Sequence, residues 1–138
     1  MSAIIDTKRA AERLLLSITP SLPTAMEGVD FDPPSTIYQR CQFMIEFPDD
    51  PVFTAGYHRE NIQMQVFVTD TKGHGTTVAQ ARAELIRDTF HKGLTLTEGS
   101  TRIYILRTAQ MQSAFVVQDR IVVPVLVPLV AEVYTNWT

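Results

Sequence analysis

Alternating apolar and polar residues near the end of the chain predict a long β-strand with one fully buried face. The segment runs from Arg120 to Glu132, and its odd positions are apolar: Ile121, Val123, Val125, Val127, Leu129 and Ala131, continued by Val133. A strand places every second side chain on the same face, so these residues form one apolar surface. Pro124 and Pro128 lie at even positions. Because proline has no N–H group, they remove two main-chain donors from the same lateral edge of the strand. We therefore predict that this edge is a protected margin of the sheet.

Residues 3–18 have the periodicity of an amphipathic helix, which Pro20 and Pro23 end. Its apolar stripe consists of Ile4, Ala11, Leu15 and Ile18, widened by Leu14. Ile5 and Leu16 lie away from this stripe. They either pack under a loop or contact another chain.

A second helix is predicted from Thr77, which has capping-box spacing to Gln80, to a left-handed turn at Gly93. It carries two apolar stripes, and Arg82 and Thr89 separate them. One stripe consists of Ala79, Ala83, Ile86 and Phe90, and the other of Val78, Ala81 and Leu85. A helix on one sheet needs only the first stripe. The second one meets either the N-terminal helix or a neighbouring subunit.

Four further segments complete the predicted fold. Residues 36–47, 62–69, 101–107 and 114–118 read as strands, and a loop at 48–61 projects between the first two. A loop of that length in so short a chain is usually functional or disordered. The pattern predicts a single α+β domain over residues 1–138. Its sheet is mixed, mostly antiparallel and of about five strands, and two α-helices flank it.

Composition narrows the classes of function. The 138 residues carry a formal charge of -3, which argues against a cationic nucleic-acid binder. The single cysteine, Cys41, excludes an internal disulfide, and its apolar strand favours a core position. No apolar run is long enough for a spanning helix, and Lys8, Arg9, Glu12 and Arg13 interrupt any secretory pattern. We expect a soluble protein made in the cytoplasm, with no membrane partner.

The residue types that catalysis and metal binding require are not grouped along the chain. The turn at residues 73–77 is glycine-rich but lacks the order of a phosphate loop or dinucleotide fingerprint. His58, His74 and His91 have no second ligand at short spacing, which argues against zinc. No serine occupies a nucleophile elbow. We therefore expect no catalytic residues, no cofactor and no metal.

Several segments together resemble the tail terminator proteins of long-tailed bacteriophages. They are the helix from Ile4 to Ile18; Gly56, Tyr57, Asn61, Gln65, Val66 and Val68; Gly75 with Ala79, Ala83, Ile86, Phe90 and Gly93; and Val123, Pro124, Val125 and Val127. The resemblance runs from about residue 4 to residue 133. It implies a non-enzymatic virion protein at the neck, which forms a homohexameric ring on the head-proximal end of the tail tube. Such a ring stops tube growth and presents a surface to head-completion or connector proteins, while DNA passes through its lumen without specific binding.

The family gives no invariant contact motif, so contact residues are predicted from this sequence. Phe53, Tyr57, His58 and Arg59 in the 48–61 loop supply the aromatic and arginine side chains typical of interface cores. Ile5 and Leu16, and the Val78, Arg82 and Leu85 region of the second helix, are further candidate ring contacts. Two other functions stay open: another neck protein, such as a head-tail stopper or connector, and a small ligand-binding module that uses the 73–77 turn.

Overall fold

The structure, a computed structural model, describes residues 2–53 and 56–134. These residues form two helices and eight strands. In chain order they are α1 (Ala3–Leu16), β1 (Thr24–Ala25), β2 (Tyr38–Ile45), β3 (Tyr57–Thr71), α2 (Thr77–Thr89), β4 (Thr95–Glu98), β5 (Thr101–Tyr104), β6 (Gln110–Met111), β7 (Phe115–Val117) and β8 (Arg120–Tyr134).

All eight strands belong to one curled sheet. The main order is β1-β2-β3-β8-β5-β4, and β6 and β7 also pair with β8. The β1–β2 pair is parallel, and the other pairs are antiparallel. The predicted α+β class, with a mixed and mostly antiparallel sheet and two helices, is confirmed. The strand count exceeds five because β1, β4 and β6 are only two to four residues long.

Both helices pack on one face of the sheet, which we call the helix-bearing face; the other is the open face. The predicted first stripe of α2 is confirmed, since Ala79, Ala83, Ile86 and Phe90 are fully buried. The odd positions of β8 from Ile121 to Ala131 are also buried, as their alternation predicts. From Val123 to Ala131 they pack with Met64, Val66 and Val68 of β3 in the same core. On α1, the buried carboxylate of Asp6 accepts a hydrogen bond from Thr101 Oγ1 at 2.7 Å, which ties the helix to β5.

Strand β8 is central in the sheet, so the prediction that its proline edge is a sheet margin is wrong. Along one side it pairs with β3 over its whole length; along the other it pairs in turn with β7, β6 and β5. The lateral effect of the prolines is nevertheless present. Pro124 O accepts a hydrogen bond from Gln112 N at 2.9 Å, so Pro124 turns its main chain toward the short strands. Pairing on that side lapses next to Pro124 and at Pro128.

The start of α2 differs from its prediction. Thr76 is the N-cap, and its side chain makes no capping hydrogen bond, so the capping box at Thr77 is not formed. Gly93 does adopt a left-handed backbone, with φ of 92°, and its N–H donates to Ile105 O at 2.7 Å. Glycine suits this position because a side chain there is strained.

Residues 19–35, which follow α1, form a connector that contains β1 and then crosses one end of the open face. Phe31 packs against Tyr38 with ring centroids 5.4 Å apart. Arg120 lies over the Tyr38 ring and donates to Pro34 O at 2.7 Å. The connector therefore covers the open face near the start of β8 and leaves the other end uncovered.

Candidate assembly surface

Two margins of the sheet expose clustered apolar side chains. The β2 margin, residues 43–53, has Ile45 and Phe47 at 57% and 89% exposure, and Phe53 fully exposed. The β7 margin, residues 115–117, exposes all three of its side chains, with Val116 at 57%. Single exposed apolar residues are ordinary on a protein surface, but contiguous ones mark contact surfaces. Sequence reasoning identified Phe53 but missed the rest of the β2 margin and the whole β7 margin, because alternation gives the face of a strand and not what covers that face.

A groove of about 460 Å³ lies beside the β2 margin on the open face. Its lining consists of Glu46, Phe47, Asp49, Arg59, Asn61, Leu106, Arg107, Pro128, Leu129 and Val130. Carboxylates and guanidinium groups thus lie around an apolar floor. This mixture is typical of a protein interface, where a polar rim surrounds an apolar centre.

The loop is shorter than the predicted range of 48–61, because β3 already begins at Tyr57. The main chains of Asp49 and Arg59 exchange two hydrogen bonds, at 2.9 and 2.8 Å, which close the base of the loop. Asn61 Nδ2 donates to Phe47 O at 2.9 Å and to Asp49 Oδ2 at 3.0 Å. Phe53 therefore projects from a short loop with a fixed base.

The four predicted contact residues of the loop do not share one surface. Tyr57, His58 and Arg59 are successive strand residues, so they alternate between faces. Tyr57 and Arg59 join Glu132 on the open face: Arg59 Nε donates to Tyr57 Oη at 3.1 Å, and Tyr57 Oη donates to Glu132 Oε1 at 3.1 Å. His58 lies on the opposite face, with its Nε2 3.5 Å from Glu60 Oε2. Their role in an interface stays a prediction.

The residues predicted on α1 are accessible. Ile5 is 46% and Leu16 53% exposed, so the alternative that they pack under a loop is wrong. They are eleven residues apart, and residues at this spacing lie on nearly the same face of a helix, about 16 Å apart along its axis. Contact with another chain stays the prediction for this pair.

The second stripe of α2 is only partly buried. Leu85 packs against the edge of the core, whereas Val78 is 48% exposed and borders a hollow lined by residues 35–37 and His74. Helix α1 packs over β3, β8 and the β4–β5 hairpin, while α2 packs over β3, β6 and β8. The alternative that this stripe packs on α1 is therefore wrong for Val78, which remains a predicted contact.

Arg82 is buried at 6% exposure, although its charge suggested a surface position between the two stripes. Its Nε donates to Gln39 Oε1 at 3.4 Å, and its Nη1 donates to Pro20 O. Burial lowers the pKa of this guanidinium, because the charged form loses hydration. Arg82 ties the 19–35 connector to α2, so it is not accessible to a neighbouring chain.

The structure adds little that could support catalysis. Within residues 2–53 and 56–134, no group of three or more His, Cys, Asp or Glu side chains could hold a metal ion. In the same ranges, no helix is both long and apolar enough to span a membrane. Burial raises the pKa of the Cys41 thiol to about 12, which leaves it protonated and unreactive near neutrality.

An α+β domain with contiguous apolar side chains at its sheet margins has the surface of a protein that associates with other chains. Residues 7–129 match the model of the phage tail terminator protein family, and the chain belongs to that family. It is therefore a structural component of the phage tail, and the predicted resemblance is confirmed. No curated protein matches the chain significantly.

Two of the solved structures that share its fold match over nearly the whole length of both chains. One is 21% identical, with a TM-score of 0.70, and the match covers 100% of this chain and 99% of the other. The second is a chain of the virion of a native gene transfer agent (GTA) particle. It is 14% identical, with a TM-score of 0.70, and the match covers 95% of this chain and 98% of that one. At these identities the likeness shows the fold alone.

Proposed function

We propose that this protein forms a homohexameric ring on the head-proximal end of the tail tube, where it stops addition of tube subunits. The observation that carries this function is the family match, which spans nearly the whole described chain. In the assembled virion the ring lies in the neck and presents its free side to the head-completion or connector protein. Its task is to bind other chains, and no step of it requires bond-making chemistry.

The exposed surfaces support such a role, because a ring between tube and head needs contacts of more than one kind. Each subunit must bind two copies of itself, and the ring must bind the tube on one side and the neck on the other. The β2 margin, which includes the projecting Phe53, and the β7 margin supply two separate accessible apolar surfaces, and Ile5 and Leu16 of α1 are further exposed apolar residues. A monomeric protein rarely exposes so many.

The charge of the chain suits passage of DNA through the lumen. With a formal charge of -3, a subunit has no excess of cations that would hold phosphate groups. Weak repulsion lets DNA move past without specific binding. Binding of a short duplex that is tight at physiological salt would contradict this part of the proposal.

The ligand-binding alternative gains no support from the 73–77 turn. The carboxylate of Asp70 is buried beside it, with Oδ2 3.3 Å from His74 Nδ1. A carboxylate in this position disfavours a phosphate or another anion. Thermal unfolding with and without nucleotides tests the alternative directly, and we expect no shift of the transition.

The function is tested by electron microscopy of phage that lack this protein, with a complemented strain as control. Loss of a tail terminator leaves tube growth unchecked, so we expect overlong tails without heads. Loss of a stopper or connector would instead leave tails of normal length unjoined to heads. Normal virions in the absence of the protein would refute the proposal.

A further inference from the structure

The two apolar margins lie at opposite ends of one run of strands, β2-β3-β8-β7. Each has a stretch of main chain that no further strand pairs, because β1 pairs with β2 only at Gln39 and Arg40 and β7 pairs only with β8. Glu46 N donates to Asn61 O of β3 at 2.8 Å, so Ile45, of opposite parity, turns its N–H and C=O outward. Phe115 and Val117 pair with Val122 and Arg120 on the proline side of β8. Val116 between them therefore turns its main chain away from β8.

The outer edge of β7 lacks the usual protection against strand addition, whereas the edge of β2 is open only between Phe43, whose N–H donates to Glu27 Oε2 at 2.9 Å, and Pro48. Proteins block an exposed edge with proline, lysine or an inward charge, and β7 consists of Phe115, Val116 and Val117 alone. The margin at β4 differs. Its sequence is Thr-Leu-Thr-Glu, and Glu98 is bound to Arg13 of α1 at 2.5 Å. The β2 and β7 margins are thus the apolar pair of edges in this sheet.

The two margins also differ in charge. The β2 margin, residues 43–53, contains Glu46, Asp49 and Asp50 and no lysine or arginine. The β7 margin, residues 115–117, is uncharged. Like charges disfavour contact of the β2 margin with itself, whereas the β7 margin adds no such repulsion. A contact between unlike patches of identical chains is head-to-tail, and it forms a ring when the rotation closes.

We propose that the β2 margin of one copy adds in antiparallel fashion to the β7 edge of the next, with Ile45 and Val116 at its centre. This inference rests on the proposed ring and names its subunit contact. Because β7 runs antiparallel to β2 within a chain, a copy in the same orientation presents its β2 antiparallel to β7. Ile45 lies across from Ile62 and Val116 across from Ile121, so both side chains lie on the helix-bearing face. The helices of successive copies then lie on the same side of the joined sheet.

The two edges lie at different heights along β8. Ile45 is level with Leu129 through Ile62, whereas Val116 is level with Ile121. Strands of the joined sheet are therefore staggered and run obliquely to the direction in which copies repeat. Closed sheets have the same property, since closure requires tilted strands.

Disulfide capture tests this contact in the assembled protein. The double variant Ile45→Cys with Val116→Cys is incorporated into tails, which are purified and oxidised. Residues directly opposed in a sheet have Cα atoms about 5.5 Å apart, within the range of a disulfide. We expect covalent species larger than a dimer on non-reducing gels. Cys41 can stay in place because it is buried.

Three outcomes would overturn the contact. Dimers from Ile45→Cys alone would show that the β2 margin meets itself. A ladder from Ile45→Cys with Thr97→Cys, the matched control on β4, would place the contact at the polar margin. The Ile45→Cys with Val116→Cys variant could also give tails that are capped and joined to heads but contain no covalent species. That result would reject the contact and leave the proposed function standing. By contrast, tails of normal length without the protein would refute the function, whatever the cross-links show.

Discussion

Charge reversal at Arg82 separates a fold effect from an assembly effect. The guanidinium faces two acceptors, Gln39 Oε1 and Pro20 O, and it is buried. Glutamate in its place would be a buried carboxylate facing the same acceptors. An uncompensated buried charge costs about 3–5 kcal/mol. For a domain of this size that corresponds to about 10–15 °C in the melting temperature.

Comparison with the neutral variant Arg82→Met measures how much of the loss in unfolding free energy is due to the buried negative charge. The neutral variant loses the hydrogen bonds of the guanidinium and leaves Pro20 O without this donor, which costs about 1–3 kcal/mol. It also removes a buried cation with no carboxylate among its hydrogen-bond partners, which offsets part of that loss. We expect Arg82→Met to lie between the wild type and Arg82→Glu, with a loss of about 1–2 kcal/mol.

Urea unfolding followed by circular dichroism, together with size-exclusion chromatography, measures both properties. Arg87→Glu, in the last turn of the same helix, is the matched control and should cost at most about 1 kcal/mol through the helix dipole. The burial argument is refuted if the free energy of unfolding of Arg82→Glu lies within about 1 kcal/mol of the wild-type value and the variant nevertheless fails to assemble. Arg82 would then act at a subunit contact.

Three further predictions follow from burial and charge. Phe53→Ser should change the free energy of unfolding by less than about 0.5 kcal/mol, because Phe53 is fully exposed, yet it should reduce the fraction of capped tails in micrographs. Phe90→Ala should cost about 3–5 kcal/mol in urea unfolding, since that ring is fully buried. Hydrogen bonds from Lys8 and from the main chain of Phe43 hold the pKa of Glu27 below its usual value. Its contribution to stability is therefore complete above about pH 4.5 and is lost as the pH falls through the lower folded pKa, and Glu27→Gln should flatten that acid limb in pH-dependent melts.

The long elements could be predicted from the sequence because their signals are local. The alternation in β8 and the stripe of Ala79, Ala83, Ile86 and Phe90 are repeated often enough to identify the buried face. Strands β1 and β6, with two residues each, contain no full period. Their existence depends on what lies beside them in space.

Pairing over long sequence distance explains the error at the 48–61 loop. Residues 57–61 are mostly polar, and nothing local marks them as a strand. They are in β3 because β8 extends to Tyr134 and pairs with them, Tyr57 with Tyr134 and Arg59 with Glu132. Arg82 was misplaced for a similar reason. Its acceptors come from the connector and β2, and a helical pattern contains neither.

The prolines of β8 connect the sequence to the proposed contact. They do remove donors from one side of the strand, but that side is the centre of the sheet and not its margin. Because a continuous neighbour cannot pair there, the chain supplies three short strands instead of one long one. The first of them, β7, is too short to bind a further strand of its own chain, and its outer edge stays free. An interruption in the middle of β8 thus produces the unpaired edge that a second copy can use.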